Sequence, residues 1–325
     1  MGRLVETPDG RRLAVDWWGP VDGYPVFLLH GTPGSRQGPR PRTRDLHLLG
    51  LRLIAYDRPG YGGSTRYPDR QVIHAAADVD AIARELGIGQ FSVVGRSGGG
   101  PHALACAARL PDKVASAAVL VSLAPFDAKG LNWFDGMTAS NIEAYQQAKA
   151  RGGDLRGLRD RFWDRGKAIS GDPGQMIASL SPELSVPDRR IVMEIGVSRM
   201  LVDNFRGAFT SADDHHRARD EWTTPVDADD EESAAYGSEG WFDDVVSFTR
   251  PWGFDVEDIE TPVLLWHGEL DRFSPVGHFH WLAEHLRNCT PMMAPGSAHF
   301  GAVQALPRVL RWLVDETREA APTRS

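Results

Sequence analysis

Residues 91–102 read Phe-Ser-Val-Val-Gly-Arg-Ser-Gly-Gly-Gly-Pro-His. An apolar run rich in β-formers stops at Gly95, a serine follows at position 97, and small residues continue over 103–108. The pattern predicts a strand, a sharp turn that carries Ser97, and a helix. Such a turn strains the serine backbone, and glycines flank it because a Cβ there would collide with the neighbouring strand or helix. We therefore expect the Ser97 hydroxyl to project above the edge of a sheet.

Three further motifs follow apolar runs elsewhere in the chain. They are His-Gly-Thr-Pro-Gly at 30–34, Gly-Glu-Leu-Asp at 268–271 and Gly-Ser-Ala-His-Phe at 296–300. The chain thus supplies Ser97, Asp271 and His299 in that order. A serine hydroxyl is a poor nucleophile at neutral pH, so it needs a base to take its proton and an acid to orient that base. These three residue types provide all three roles.

The Gly-x-Ser-x-Gly turn around Ser97, together with the order of the other motifs, resembles the nucleophile elbow and catalytic triad of the α/β-hydrolase superfamily. The resemblance covers nearly all of the chain outside about residues 127–255. It implies an α/β fold with a mostly parallel central sheet flanked by helices. It also implies an oxyanion hole formed by the backbone amides of Thr32 and Gly98.

The alternation of apolar strands and helices along most of the chain also predicts a parallel sheet covered on both faces. The alternation is interrupted between about residues 127 and 255, where helical patterns are joined by Gly- and Asp-rich loops. An insertion at this point matches the helical cap that roofs the active site in the family. We therefore expect a core domain formed by 1–126 and 256–325, and a helical cap, or lid, at 127–255.

Within 127–255, the clearest helical patterns cover Asn141–Ala150 and Pro187–Phe205. The acidic stretch 213–232 is expected to be an exposed connector, with a mobile flap as the alternative. Five of the ten tryptophans lie in this segment, and we expect them to form its core, with one or two lining a pocket. They are Trp133, Trp163, Trp222, Trp241 and Trp252.

The composition is that of an ordinary soluble globular protein. Of the 325 residues, 42% are hydrophobic and 25% charged, and the net charge of −8 argues against nucleic acid or anionic membranes as partners. No apolar run approaches the roughly 20 residues that cross a bilayer, and the N-terminus lacks the apolar core of a signal peptide. The two cysteines, Cys106 and Cys289, and the histidines show no metal-site spacing. We expect a cytoplasmic enzyme without metal or cofactor that acts on a small-molecule substrate.

The acid of the triad has two candidates. Some α/β-hydrolases carry the acid after the strand that follows the elbow helix, which is where Asp127 falls. Asp271 is favoured because Gly-x-x-Asp after an apolar strand is the commoner placement in the family. Several other polar residues flank the motifs: His30 and His267 are interpreted as braces of strand-end turns, whereas no catalytic step is assigned to Asp57, Arg96 and His102.

The leading interpretation is a hydrolase of carboxylic esters or a related acyl bond, with an acyl-enzyme at Ser97. The motif at 30–34 also resembles that of proline iminopeptidases, although their usual sequence has glycine where this chain has Thr32. Those enzymes need acidic cap residues to hold the substrate's amino group. The candidates here are Asp213, Asp214, Glu231 and Glu232.

Other members of the superfamily give further alternatives. Cofactor-free haloperoxidases share the same triad, with perhydrolysis as their activity. A non-hydrolytic tailoring enzyme or a ligand receptor that retains the triad also stays open, because a fold does not fix a function. Epoxide hydrolases and haloalkane dehalogenases place aspartate at the position of Ser97, so the serine argues against both.

Overall fold

Eight strands build one central sheet, in a computed structural model that describes residues 2–150, 155–209 and 231–320. The strands are β1 (Gly2–Glu6), β2 (Arg12–Trp18), β3 (Tyr24–Leu29), β4 (Leu51–Tyr56), β5 (Phe91–Arg96), β6 (Val114–Leu120), β7 (Val263–Gly268) and β8 (Cys289–Ala294). Their order across the sheet is β1-β2-β4-β3-β5-β6-β7-β8. β2 is antiparallel to β1 and β4, and every other neighbouring pair is parallel. The fold is α/β with a mostly parallel sheet, as predicted.

Helices cover both faces of this sheet. They are α1 (Thr43–Leu49), α2 (Ala75–Glu85), α3 (Gly99–Arg109), α10 (Val276–His285) and α11 (Gly301–Ala320). Side chains of α2, α3 and α10 belong to one apolar cluster and those of α1 and α11 to another. Along β5, Val93 packs in the first cluster and Val94 in the second, because successive side chains of a strand point to opposite faces. Burial on both faces explains why the strands read as continuous apolar runs.

Between β6 and β7 the chain leaves the sheet and forms six helices within the described residues. They are α4 (Ala139–Lys149), α5 (Leu155–Ile169), α6 (Pro173–Leu180), α7 (Val186–Val192), α8 (Ile195–Phe209) and α9 (Glu231–Phe248). We call residues 127–255 the insertion, and its exact bounds as a domain stay a prediction. None of the helices in the described ranges combines the length and apolar character needed to cross a membrane.

The prediction of a single helix over Pro187–Phe205 is wrong, because α7 and α8 are separate helices. The Glu194 N–H bonds to the carbonyl of Ile191, three residues back, which ends the α-helical pattern of α7. Gly196 follows in the first turn of α8, and glycine weakens helix propagation. The periodic apolar pattern continues across this break, so the pattern alone could not reveal the break.

A buried ion pair ties α2 to the turn between β1 and β2. The Arg11 guanidinium donates to Asp78 Oδ1 at 2.8 Å, and Asp78 is only 2% exposed. Burial raises the pKa of Asp78 to about 6, and this effect exceeds the lowering caused by Arg11. The folded protein therefore binds a proton at Asp78 more tightly than the unfolded chain does.

We expect Asp78→Asn to flatten the pH dependence of stability in acid. The pKa of Asp78 is about 6 in the folded protein against an ordinary 3.8, so stability falls as the pH rises through this window. The wild type should lose roughly 3 kcal/mol more free energy of unfolding than the variant across the window. Urea unfolding at a series of pH values measures this difference, with the exposed Asp22→Asn as the control. Equal slopes in wild type and Asp78→Asn would contradict the assignment.

Candidate active site

The carboxyl ends of the parallel strands meet at one edge of the sheet, where sites in this class of fold form. Thr32 follows β3, Ser97 follows β5, Asp271 follows β7 and His299 follows β8. The strand order thus brings together residues that are far apart in the sequence. Thr32, Ser97 and His299 line one cavity at this edge, and Asp271 is buried behind His299.

Ser97 has a left-handed backbone, with a φ of 55°, which is uncommon for a residue other than glycine. Its N–H donates to the carbonyl of Leu120 at 2.8 Å, which fastens the turn to the end of β6. A Cβ on Gly95 would lie 2.2 Å from the Gly99 carbonyl oxygen, and one on Gly99 would lie 2.2 Å from that of Leu29. The turn therefore has the strained geometry and the close backbone approach that the sequence predicted.

An acid holds the imidazole of His299 in one orientation. Nδ1 of His299 lies 2.8 Å from Oδ2 of Asp271, and a carboxylate can only accept, so Nδ1 carries the proton. Oδ1 of Asp271 accepts from the backbone N–H groups of Phe273 at 2.8 Å and Ser274 at 3.0 Å. Since Asp271 is only 4% exposed, these bonds fix its carboxylate. Nε2 of His299 is left as the basic nitrogen.

The rival acid and the two bracing histidines can be compared with this arrangement. Asp127 is exposed, and no hydrogen bond between it and His299 is found in the described part of the chain. The buried His267 places Nε2 2.8 Å from the carbonyl oxygen of Ser274, and the buried His30 donates from Nδ1 to the carbonyl of Gly31 at 2.8 Å. The geometry favours Asp271 over Asp127, and both histidines brace turns.

Two backbone N–H groups lie where an oxyanion hole is expected. Thr32 and Gly98 both line the cavity beside Ser97. Within the described residues, neither backbone N–H has a hydrogen-bond acceptor. The two segments are in contact, since a Cβ on Gly98 would lie 2.1 Å from Thr32 Oγ1. Among the described residues, both N–H groups are therefore free to donate to a bound ligand.

Aromatic and polar side chains both line the cavity. The aromatic side chains among them are Tyr145, Phe162, Phe205, Trp241, Phe248, Phe273 and Phe300. Most come from the insertion, and Phe162 stacks on Trp241 with ring centroids 4.4 Å apart. Arg96 and Arg165 also line the cavity, and Arg165 pairs with Glu183 at 2.5 Å. No aspartate or glutamate is among the described lining residues.

Several predicted residues do not enter this site. Asp213, Asp214 and Trp222 lie outside the described residues, as do the side chains of Glu231 and Glu232. Asp57 is buried and accepts from the backbone N–H of Arg36 at 2.7 Å and that of Gly63 at 3.0 Å, so it holds turns together. Groups of three or more side chains arranged to bind a metal ion are absent from the described ranges.

Sequence reasoning missed Asp188, which holds the segment that carries His299. Asp188 is fully buried on α7, and its Oδ1 accepts from the backbone N–H of Phe300 at 2.7 Å. Burial raises the pKa of Asp188, while the charge of His299 lowers it. Its helix cap, in which Ser185 Oγ accepts from the Asp188 N–H, is a local signal. The contact with Phe300, 112 residues away, leaves no local trace in the sequence.

Known proteins resemble this chain over part of its length. Residues 24–155 match the model of the alpha/beta hydrolase fold family. Among curated relatives, a bifunctional esterase/perhydrolase of Acinetobacter calcoaceticus is 35% identical over 122 residues, which are 37% of this chain and 44% of that protein. A non-heme chloroperoxidase of Streptomyces lividans is 31% identical over 148 residues, 45% of this chain and 54% of the relative. The chain therefore spans about half the length of these relatives.

Solved structures extend the likeness over nearly the whole chain. A bromoperoxidase from Bacillus anthracis superposes with a TM-score of 0.66 at 18% identity, covering 97% of this chain and all of that one (100%). A thermophilic esterase from Thermogutta terrifontis gives a TM-score of 0.64 at 19% identity, covering 98% of each chain. The chain has the α/β-hydrolase fold, and the family's model matches residues 24–155. The names of its relatives support a hydrolase on this fold.

We expect Asp188→Ala to lower both stability and kcat, because the Phe300 N–H would be left buried without an acceptor. Such a loss costs about 1–3 kcal/mol of the free energy of unfolding. Asp188→Asn keeps an amide oxygen at this position and should retain most of both. Urea unfolding and steady-state kinetics compare the two variants. Equal free energies of unfolding and equal kcat values for Asp188→Ala and Asp188→Asn would show that Asp188 does not act through this hydrogen bond.

Proposed function

We propose that this chain is a serine hydrolase that cleaves carboxylic esters, or a related acyl bond, through an acyl-enzyme at Ser97. One observation carries the proposal. The serine sits on a strained turn and shares a cavity with His299, whose Nδ1 is held by Asp271 at 2.8 Å. This pairing leaves Nε2 of the imidazole free to act as a base on the serine side.

The reaction takes place in two steps. His299 Nε2 takes the Ser97 proton as the serine oxygen attacks the ester carbonyl, and the resulting oxyanion accepts hydrogen bonds from the N–H groups of Thr32 and Gly98. The intermediate collapses, and His299 protonates the departing alcohol. Water then attacks the acyl group by the same route and releases the acid. Asp271 keeps the imidazole in the required tautomer and stabilises its cationic form.

The cavity favours an ester with an apolar group over an aminoacyl substrate. An iminopeptidase must hold a protonated amine, and burying a charge without a partner is costly. The described lining residues include no acid that could pair with an ammonium group, and Arg96 adds a positive charge there, whereas Arg165 is already paired with Glu183. Tyr145, Phe162 and Trp241 instead offer an apolar surface to an acyl or alcohol group.

Perhydrolysis is the second candidate function. It is favoured by relatives named esterase/perhydrolase and non-heme chloroperoxidase. The acyl-enzyme at Ser97 would be the same, and hydrogen peroxide would replace water as the second nucleophile. The oxygen of the serine ester bond stays with Ser97, and a peracid leaves in place of the acid. The two functions therefore differ only in the acceptor of the acyl group.

The triad assignment predicts a distinct result for each of three variants. Ser97→Ala should abolish ester hydrolysis with an unchanged melting temperature, because the nucleophilic oxygen is lost. Asp271→Asn should lower kcat by about 10⁴, because the wrong tautomer of His299 is stabilised. Asp127→Asn, the matched control, should stay within about tenfold of wild type, a barrier change below roughly 1.4 kcal/mol. Steady-state kinetics on a chromogenic ester give all three values.

Two outcomes would contradict this assignment. Retention of more than a few per cent of activity by Ser97→Ala would exclude the acyl-enzyme at this residue. A severe loss of kcat in Asp127→Asn, together with an active Asp271→Asn, would show that Asp127 is the acid of the triad.

The cavity also predicts substrate preference. Esters of increasing acyl chain length should show kcat/KM values that rise with apolar size, because the walls bury apolar surface. A prolyl amide with a free amine should be a poor substrate, and the same amide with an acetylated amine, which carries no charge, serves as its matched control. Efficient cleavage of the free amine, with loss on acetylation, would favour the iminopeptidase alternative.

A further inference from the structure

Asp244, on α9 of the insertion, lies buried directly behind the proposed oxyanion hole. Its Oδ2 accepts from Thr32 Oγ1 at 2.5 Å and from the Tyr61 hydroxyl at 2.9 Å. The same oxygen accepts from Arg58 Nη2 at 2.6 Å, and Oδ1 lies 2.6 Å from Arg70 Nη2. Four side chains from two loops of the core, those after β3 and β4, therefore converge on one carboxylate of the insertion.

This carboxylate is ionised in the folded protein. Asp244 has no exposed side-chain surface, and the side chains of Arg58 and Arg70 are 1% and 3% exposed. Burial alone would raise the pKa of Asp244, but the two guanidinium groups lower it well below its usual value. His102 lies nearby, and burial lowers its pKa to about 3, so it contributes no charge. Asp244 is thus the counter-ion of two buried cations.

Arg58 transmits this anchoring to the peptide that carries the Thr32 N–H. Its guanidinium donates to the carbonyl oxygens of His30 and Gly31, the latter at 3.0 Å, and to Thr32 Oγ1 at 3.0 Å. The C=O and N–H of a trans peptide point in opposite directions. With the Gly31 carbonyl held on the side of Arg58, the Thr32 N–H points away from Arg58, and Thr32 lines the cavity.

We propose that Asp244 is a positioning residue that sets the Thr32 N–H for oxyanion stabilisation, so that the insertion takes part in the chemical step. The inference rests on the proposed function. It also gives a reason for the threonine in the motif at 30–34, where proline iminopeptidases have glycine. The side chain supplies the hydroxyl that Asp244 binds.

Asp244→Asn tests this role, with Asp243→Asn as its matched control. Asp243 is the neighbouring acid on α9 and is also buried. It pairs with Arg66 at 2.8 Å and, among the described residues, does not bond to the loop that carries Thr32. Each variant is assayed on an oxygen ester and on the corresponding thionoester. Sulfur is larger and accepts hydrogen bonds poorly, so a well-placed oxyanion hole favours the oxygen ester.

We expect Asp244→Asn to lower kcat on the oxygen ester about 10- to 100-fold, the scale of a displaced oxyanion donor, with KM little changed. The kcat on the thionoester should fall less, so the preference for the oxygen ester over the thionoester decreases. Asp243→Asn should keep the wild-type preference. A general loss of structure would lower both rates together, so an unchanged preference in Asp244→Asn would overturn the proposal.

A second variant decides the case if Asp244→Asn does not fold. Thr32→Val removes only the hydroxyl that Asp244 binds, and Thr32→Ser restores it. A reduced preference for the oxygen ester over the thionoester in Thr32→Val, recovered in Thr32→Ser, supports the inference. A wild-type preference in Thr32→Val overturns it. Failure of the proposed function is distinct, since hydrolysis would then survive Ser97→Ala.

Discussion

The left-handed backbone at Ser97 is the constraint on which the rest of the site depends. It reverses the chain between β5 and α3 within two residues, which is possible because Gly95 and Gly99 let strand and helix approach closely. The same turn leaves the Gly98 N–H without an acceptor among the described residues, at the start of α3, where the helix dipole favours negative charge. One local conformation thus supplies both an exposed hydroxyl and a donor for the charge that its attack would create.

Two buried acids of the insertion bond to loops at the catalytic edge. Asp188 accepts from the backbone next to His299, and Asp244 accepts from the hydroxyl of Thr32. Each acid is fully buried, and each holds a loop that follows a strand rather than a strand itself. Loops have few backbone hydrogen bonds of their own to fix them. The segment that walls the cavity therefore also holds two of the loops that line it.

Local patterns were sufficient for the sheet and for the residues that end its strands. The apolar runs predicted the strands, and the glycine-flanked serine predicted the turn at Ser97, because both depend on neighbours in the sequence. Asp188 and Asp244 could not be found this way, since their partners lie 112 and 212 residues away. The break between α7 and α8 was missed for a different reason. The apolar periodicity of the sequence is continuous there, and the helix is interrupted at the hydrogen bond from the Glu194 N–H to the carbonyl three residues back.

An activated serine reacts covalently with a fluorophosphonate, so labelling tests whether Ser97 is the nucleophile. The folded protein is treated with a fluorophosphonate, and peptide mapping by mass spectrometry locates the added mass. We expect one adduct, on the peptide that carries Ser97, and none on Ser97→Ala. An unlabelled wild-type protein, or an adduct on a different serine that persists in Ser97→Ala, would contradict it.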